Sequence, residues 1–101
     1  ELPFQSGDCY SSFHLYIIRI PKSELFTRQE VFERLRYHGI GVNVHYIPIH
    51  TQPFYLEIGF NQGDFPVAES YYSKAISLPL FSQLSFDDQD VVVSTLKKII
   101  G

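Results

Sequence analysis

The first clear pattern along the chain runs from Ser12 to Ile20, rich in β-branched and aromatic residues and closed by Pro21. Such a run reads as a strand. It is apolar at both parities, with Phe13, Leu15 and Ile17 alternating with Tyr16, Ile18 and Ile20, so a central strand covered on much of both faces is expected. Thr27-Arg28-Gln29-Glu30 has the form of a capping box, in which hydroxyl and carboxylate each accept from the other residue's backbone N–H. Val31, Phe32 and Leu35 then recur at helical spacing. Gly39 supplies a left-handed stop and Ile40 the usual hydrophobic contact beyond it. The spacing therefore predicts a helix over 28–38. Residues 41–46 alternate and predict a second strand, with Val42, Val44 and Tyr46 on one face and Asn43 and His45 on the other.

From 47 to 65 the periodicity is lost. Pro48, Pro53, Gly59 and Gly63 punctuate a segment that still holds Ile47, Ile49, Phe54, Tyr55, Leu56, Ile58 and Phe60. A long loop in a compact domain is usually functional, and this one is too apolar to stay in water. Phe54, Tyr55 and Phe60 are expected on or beside an exposed apolar patch, or at a contact between copies, with Phe32, Leu35, Val44, Leu96 and Ile99 in the core. Pro66 suits the first position of a second helical stretch, where Ala68, Tyr71, Tyr72 and Ala75 would share the buried face. Ser77-Leu78-Pro79-Leu80 is expected as a short edge strand because Pro79 cannot donate to a ladder. Ser85 caps a last helix, with Asp87, Asp88 and Asp90 near its start, Val92, Leu96 and Ile99 inward, and Lys97 and Lys98 near its end. Residues 1–10 read as an irregular lead-in. Strands interleaved with helices imply a single α/β domain over 1–101, a two-layer α+β sandwich with a small antiparallel or mixed sheet and helices on one face.

Composition narrows the function classes. The net charge is −3 and the eight basic residues are scattered, which argues against a nucleic-acid partner. No stretch approaches the length of an apolar membrane span, so no membrane partner is expected. The single cysteine, Cys9, leaves no internal disulfide and fits a reducing, cytoplasmic setting. The chain starts at Glu1 and contains no Met, the pattern of a piece of a longer protein.

Chemistry concentrates in His45-Tyr46-Ile47-Pro48-Ile49-His50-Thr51-Gln52-Pro53-Phe54-Tyr55, directly after the second expected strand. A metal reading would use His45 and His50, but no third ligand stands nearby in sequence. Either imidazole could act as a general base. A binding surface of aromatic faces, imidazole donors and the Gln52 amide is a third reading, and a purely structural loop a fourth. Elsewhere Cys9 with His14 lacks an orienting third group. Asp87, Asp88 and Asp90 are explained by their helix start. Gly39-Ile40-Gly41 stands in the wrong context for a phosphate loop.

The run His45-Tyr46-x-Pro48-x-His50-x-Gln52-x-x-Tyr55 resembles a motif of the DegT/StrS sugar-nucleotide aminotransferases. Ser12 to Tyr16, the helix stop at Leu35–Gly41, Phe65-Pro66-x-Ala68-Glu69, Ser77 to Phe81 and Leu84-Ser85-x-x-Asp88-Gln89 agree with that family in order and spacing. Within the family, Gly41-Val42-x-Val44-His45-Tyr46-Ile47-Pro48 and Ser77-Leu78-Pro79-Leu80-Phe81 resemble the transaminases of the pseudaminic acid pathway. The resemblance implies the C-terminal small domain of the aspartate-aminotransferase fold, a pyridoxal 5'-phosphate enzyme that moves an amino group from L-glutamate to a keto carbon of a nucleotide sugar. It further implies that an N-terminal large domain precedes this chain and that the parent is a homodimer. Tyr46 and His50, and with them His45, would then orient the sugar nucleotide at the site entrance, with 47–65 as a substrate-side loop. The family's lysine segment begins Ser-Phe-His, as does Ser12-Phe13-His14, yet the lysine position here is Ile17. None of Lys22, Lys74, Lys97 or Lys98 stands in a comparable setting, so no catalytic or cofactor-binding residue and no bound cofactor are expected in this chain itself. Outside the resemblance, a free-standing small-molecule-binding module or a protein-interaction domain are the competing readings.

Overall fold

The computed structural model describes residues 1–101. Strand β1 (Tyr16–Arg19) pairs antiparallel with β2 (Ala75–Leu78), with Tyr16 opposite Leu78 and Ile18 opposite Ile76. Helix α1 (Arg28–Tyr37) lies between them in sequence, followed by a single 3-10 turn (Ile49–Thr51), the short α2 (Pro53–Glu57) and α3 (Pro66–Lys74); α4 (Phe86–Ile100) closes the chain. Side chains on a strand alternate between faces. Ile18 and Ile76 face the α1–α4 layer and join Ile20, Val31, Leu35, Ile40, Val42 and Val92 in one core. Ala75 and Ser77 have the opposite parity. The result is the expected two-layer α/β arrangement, a small antiparallel sheet with α1 and α4 packed on one face.

Local signals explain both long helices. Thr27 Oγ1 accepts from the Glu30 N–H at 3.2 Å and Glu30 Oε2 from the Thr27 N–H at 2.7 Å, the reciprocal capping box. At the other end Gly39 is left-handed, φ +78°. Its N–H donates to the Arg36 carbonyl and that of Ile40 to the Leu35 carbonyl, both at 3.0 Å, which is a Schellman stop with Ile40 buried beside it. Ser85 caps α4 through the Asp88 N–H at 3.0 Å. Leu96 and Ile99 pack against the core around Val92.

The sheet differs from expectation in four ways. The strand expected over 12–20 begins only at Tyr16, because Phe13 turns left-handed (φ +43°) and its N–H is taken by the Ser11 hydroxyl at 3.1 Å. β1 is not the central strand. Of the segment expected at the edge, 77–80, only Ser77 and Leu78 are in a strand, and that strand, β2, runs through the middle, flanked by β1 and, across Ser77, by Asn43. β2 ends at Leu78, so Pro79 is never asked to donate. Third, only Asn43 of the strand expected over 41–46 pairs, through Ser77 N–H to Asn43 O at 2.8 Å and Asn43 N–H to Ser77 O at 3.2 Å; Val44 is therefore half-buried rather than core. Fourth, Ala75 belongs to β2 rather than to a helical face. Pairing with β1 outweighs continued helix after Lys74, so α3 buries no residue fully, and Ala68 and Tyr71 stay exposed. The span 47–65, read as irregular, holds the 3-10 turn and α2, although α2 buries nothing.

Candidate functional site

The parity of β2 decides where the site forms. Ser77 faces away from the α1–α4 core and its hydroxyl shares a hydrogen bond of 2.7 Å with His45 Nδ1. A buried hydroxyl on the middle strand thus anchors the imidazole of the segment that has just left the sheet. Tyr46, the next residue, is 71% exposed and stands edge-on to His45 with ring centres 4.5 Å apart. Both border an open cleft of about 670 Å³ whose other walls include Pro48, Asp64, Phe65 and Pro66. The lining is apolar and aromatic with a few polar tips, the usual chemistry of a ligand site.

His50 is not in that cleft. It is 7% exposed and its Nε2 donates to Glu69 Oε1 at 2.7 Å. The same oxygen accepts the Gly63 N–H at 2.6 Å. Gly63 is left-handed, φ +97°, a conformation that glycine adopts without a Cβ penalty. The His50 bond, then the Gly63 amide, hold the Glu69 carboxyl below its ordinary value; both favour the ionised form. Phe65 lies across the His50 ring at 4.8 Å. From there aromatic contacts run through Phe60 and Tyr55 to Phe54. Phe54 is 63% exposed and Phe60 remains open, with Tyr55 half-buried between them, so this wall is the exposed apolar patch expected of the segment. A shallow groove of about 330 Å³ follows it past His50 and shares Pro48 and Phe65 with the first cleft.

The structure therefore brings His45 and Tyr46 together and sets His50 behind them, as a buried prop. Glu69 is the residue that sequence reasoning left without a role. It stands nineteen positions from His50, and no local pattern links the two. A further polar cleft of about 430 Å³ lies between the start of α1 and the end of α3, where the Arg28 guanidinium sits 5.6 Å over the Tyr72 ring. No three His, Cys, Asp or Glu residues are grouped to hold a metal ion. Cys9 is exposed in the lead-in. No helix is long and apolar enough to cross a membrane.

A nucleophile with its base, a phosphate cradle and a lysine are all missing from the walls of the His45–Tyr46 cleft. The residues present there can stack against a ring, hydrogen-bond its substituents and exclude water from one side. They cannot by themselves hold pyridoxal phosphate as a Schiff base.

The model of the DegT/DnrJ/EryC1/StrS aminotransferase family matches residues 1–97. The chain is 31% identical to the dTDP-3-amino-3,4,6-trideoxy-alpha-D-glucose transaminase of Micromonospora megalomicea subsp. nigra, over 99% of this chain and 26% of that protein. Among solved structures, the PLP form of the putative sugar aminotransferase Spr1654 from Streptococcus pneumoniae superposes with a TM-score of 0.81 at 35% identity, covering 88% of this chain and 23% of that one. Helicobacter pylori PseC, an aminotransferase involved in the biosynthesis of pseudoaminic acid, gives 0.78 at 30% identity, over 88% of this chain and 24% of that one. The chain spans about a quarter of the length of the curated relatives it matches.

Proposed function

We propose that this chain, which belongs to the DegT/DnrJ/EryC1/StrS aminotransferase family, is the C-terminal small domain of a pyridoxal-phosphate-dependent sugar aminotransferase. In this reading residues 1–101 form one domain, and a large N-terminal domain of the same polypeptide supplies the lysine and holds the cofactor. The reaction moves an amino group from L-glutamate to the 4-keto carbon of a nucleotide-linked sugar. The cofactor, when bound, supplies the electron sink for that transfer. A UDP-linked sugar of the pseudaminic acid route or a related surface polysaccharide is the proposed substrate, with UDP-4-amino-4,6-dideoxy-N-acetyl-altrosamine transaminase as the proposed type. Pairing of two such polypeptides and a cytoplasmic location complete the reading.

The observation that carries it is the exposed Tyr46 beside the Ser77-anchored His45 in an open, ring-lined cleft. Tyr46 offers a face for stacking and a hydroxyl for bonding, and His45 keeps Nε2 free of partners within the chain. His50 contributes from behind through Phe65, which it supports. In the full-length protein, Tyr46→Ala is expected to lower kcat/KM for the nucleotide sugar about 5- to 150-fold, the loss of roughly 1–3 kcal/mol of contact. The glutamate half-reaction, measured separately, should stay within about twofold. An equal loss in both would assign Tyr46 to the fold rather than to the sugar.

A further inference from the structure

The segment between the 3-10 turn and α3 has little to hold it by burial. From Ile49 to Phe65 the one buried residue is His50, a polar one. Hydrophobic packing fixes a shape roughly in proportion to the apolar area removed from water, and here that area is small. Two hydrogen bonds take its place, and both end on one atom. Glu69 Oε1 receives the His50 imidazole at 2.7 Å from one side of α2 and the Gly63 amide at 2.6 Å from the other. The carboxylate thus closes the segment at both ends.

Glu69 is itself well placed to do this. It lies one turn into α3, and its own N–H donates to the Phe65 carbonyl at 3.1 Å, so Phe65 and Glu69 sit on the same helical face. The His50 ring that Glu69 holds is the ring on which Phe65 rests, 4.8 Å away. Phe65 in turn lines both the His45–Tyr46 cleft and the aromatic groove. One carboxylate therefore sets the wall opposite Tyr46. Because a carboxylate only accepts, it also requires the proton of His50 to be on Nε2.

We propose that Glu69 is the positioning residue of the substrate wall, clamping His50 and Gly63 so that Phe65 and Pro48 face Tyr46 at the spacing a nucleotide-linked sugar requires. This rests on the reading of the cleft given above. Glu69 touches no reacting atom in this arrangement; it acts through His50 and Phe65.

The test uses the full-length holoenzyme with Glu69→Ala, Glu69→Gln and Tyr46→Ala, each half-reaction being followed separately. Glu69→Ala is expected to lower kcat/KM for the nucleotide sugar at least tenfold and leave the glutamate half-reaction within about twofold. Glu69→Gln should fall between it and the parent, since an amide oxygen can accept the same two bonds without the charge. Side-chain nitrogen NMR of His50 should show a proton fixed on Nε2 in the parent and a mixture of tautomers in Glu69→Ala. Equal losses in both half-reactions, or none in either, overturn the proposal. Sugar kinetics sensitive to Tyr46→Ala but not to the Glu69 changes remove the role of Glu69 alone. Insensitivity to Tyr46→Ala, with the His50 tautomer still released by Glu69→Ala, overturns the reading of the cleft and the substrate part of this inference with it. If Glu69→Ala fails to fold, Glu69→Asp, whose shorter reach cannot meet both donors, is read by the same criteria.

Discussion

The two halves of this chain are stabilised by different forces. Around β1, β2, α1 and α4, apolar side chains from distant parts of the chain converge, and Val31, Leu35 and Ile76 lose contact with water entirely. From His45 to Glu69, by contrast, most of the large apolar side chains stay open and the one buried residue is polar, the His50 imidazole, held by the half-buried Glu69 carboxylate, while the buried hydroxyl of Ser77 lies beneath His45. A core shaped by burial tolerates small shifts only at the cost of cavities. A segment tied by a few directional bonds keeps one geometry but leaves its apolar faces free for something else. That division fits the proposed reading, in which the core only has to persist and the wall meets a ligand.

The sharpest way to break this contrast is Leu35→Ala. The side chain is fully enclosed between α1 and the sheet, and truncation should destabilise folding by about 2–5 kcal/mol through lost burial and the cavity left behind. Urea unfolding would read this as a lower midpoint with an unchanged slope. A loss below about 1 kcal/mol would mean that the core is not the part that holds the domain together.

How far the sequence reveals each half follows the same division. Thr27 with Glu30, Gly39 with Ile40, and Ser85 with Asp88 are legible because each signal and its partner lie within a few residues. The stripe of Val92, Leu96 and Ile99 is legible because helical periodicity reports burial directly. The sheet is less so. β2 is four residues long, and its position in the middle depends on Asn43 arriving from more than thirty residues upstream, which no local pattern encodes. Pro79 suggested an edge, yet the strand stops one residue short of it. In the wall, the density of His, Tyr and Pro drew attention to the segment that lines the open cleft, and the family-like motif picked out His45, Tyr46 and His50 as a group. It did not show that His50 turns inward. That depends on Glu69, whose link to His50 becomes visible only once α3 is folded against the 3-10 turn.

A milder perturbation separates the two halves by pH. The Glu69 carboxyl is held below its ordinary value of 4.5 by the His50 bond first and the Gly63 amide second. A depressed carboxylate contributes its stabilisation above the unfolded value and loses it as the pH falls through the folded one. The clamp should therefore be intact from neutrality down to about pH 4.5 and released below it. The Gly63 amide proton shift would follow that titration, with a midpoint under 4.5, and should stop responding in Glu69→Gln. A Gly63 shift that is flat to pH 3 in the parent would show that the carboxylate is not what holds the turn.

The smallest expected effect carries the comparison furthest. Phe54 is large and aromatic, yet 63% of it faces water, and its main aromatic neighbour is Tyr55, edge-on at 5.4 Å. Truncating an exposed side chain removes little buried area, so Phe54→Ala in the 101-residue chain should change folding stability by no more than about 0.5 kcal/mol. In a polypeptide where a large domain covers this wall, the same ring would be buried and its loss should cost several times more. Unfolding curves of Phe54→Ala in the 101-residue chain and in the full-length protein would give the two figures directly. A small loss in the first with a large one in the second locates the cover on the aromatic wall. Equal, small losses in both would mean that Phe54 faces water in the parent as well, and the wall's exposure would then need an occupant other than the rest of its own chain.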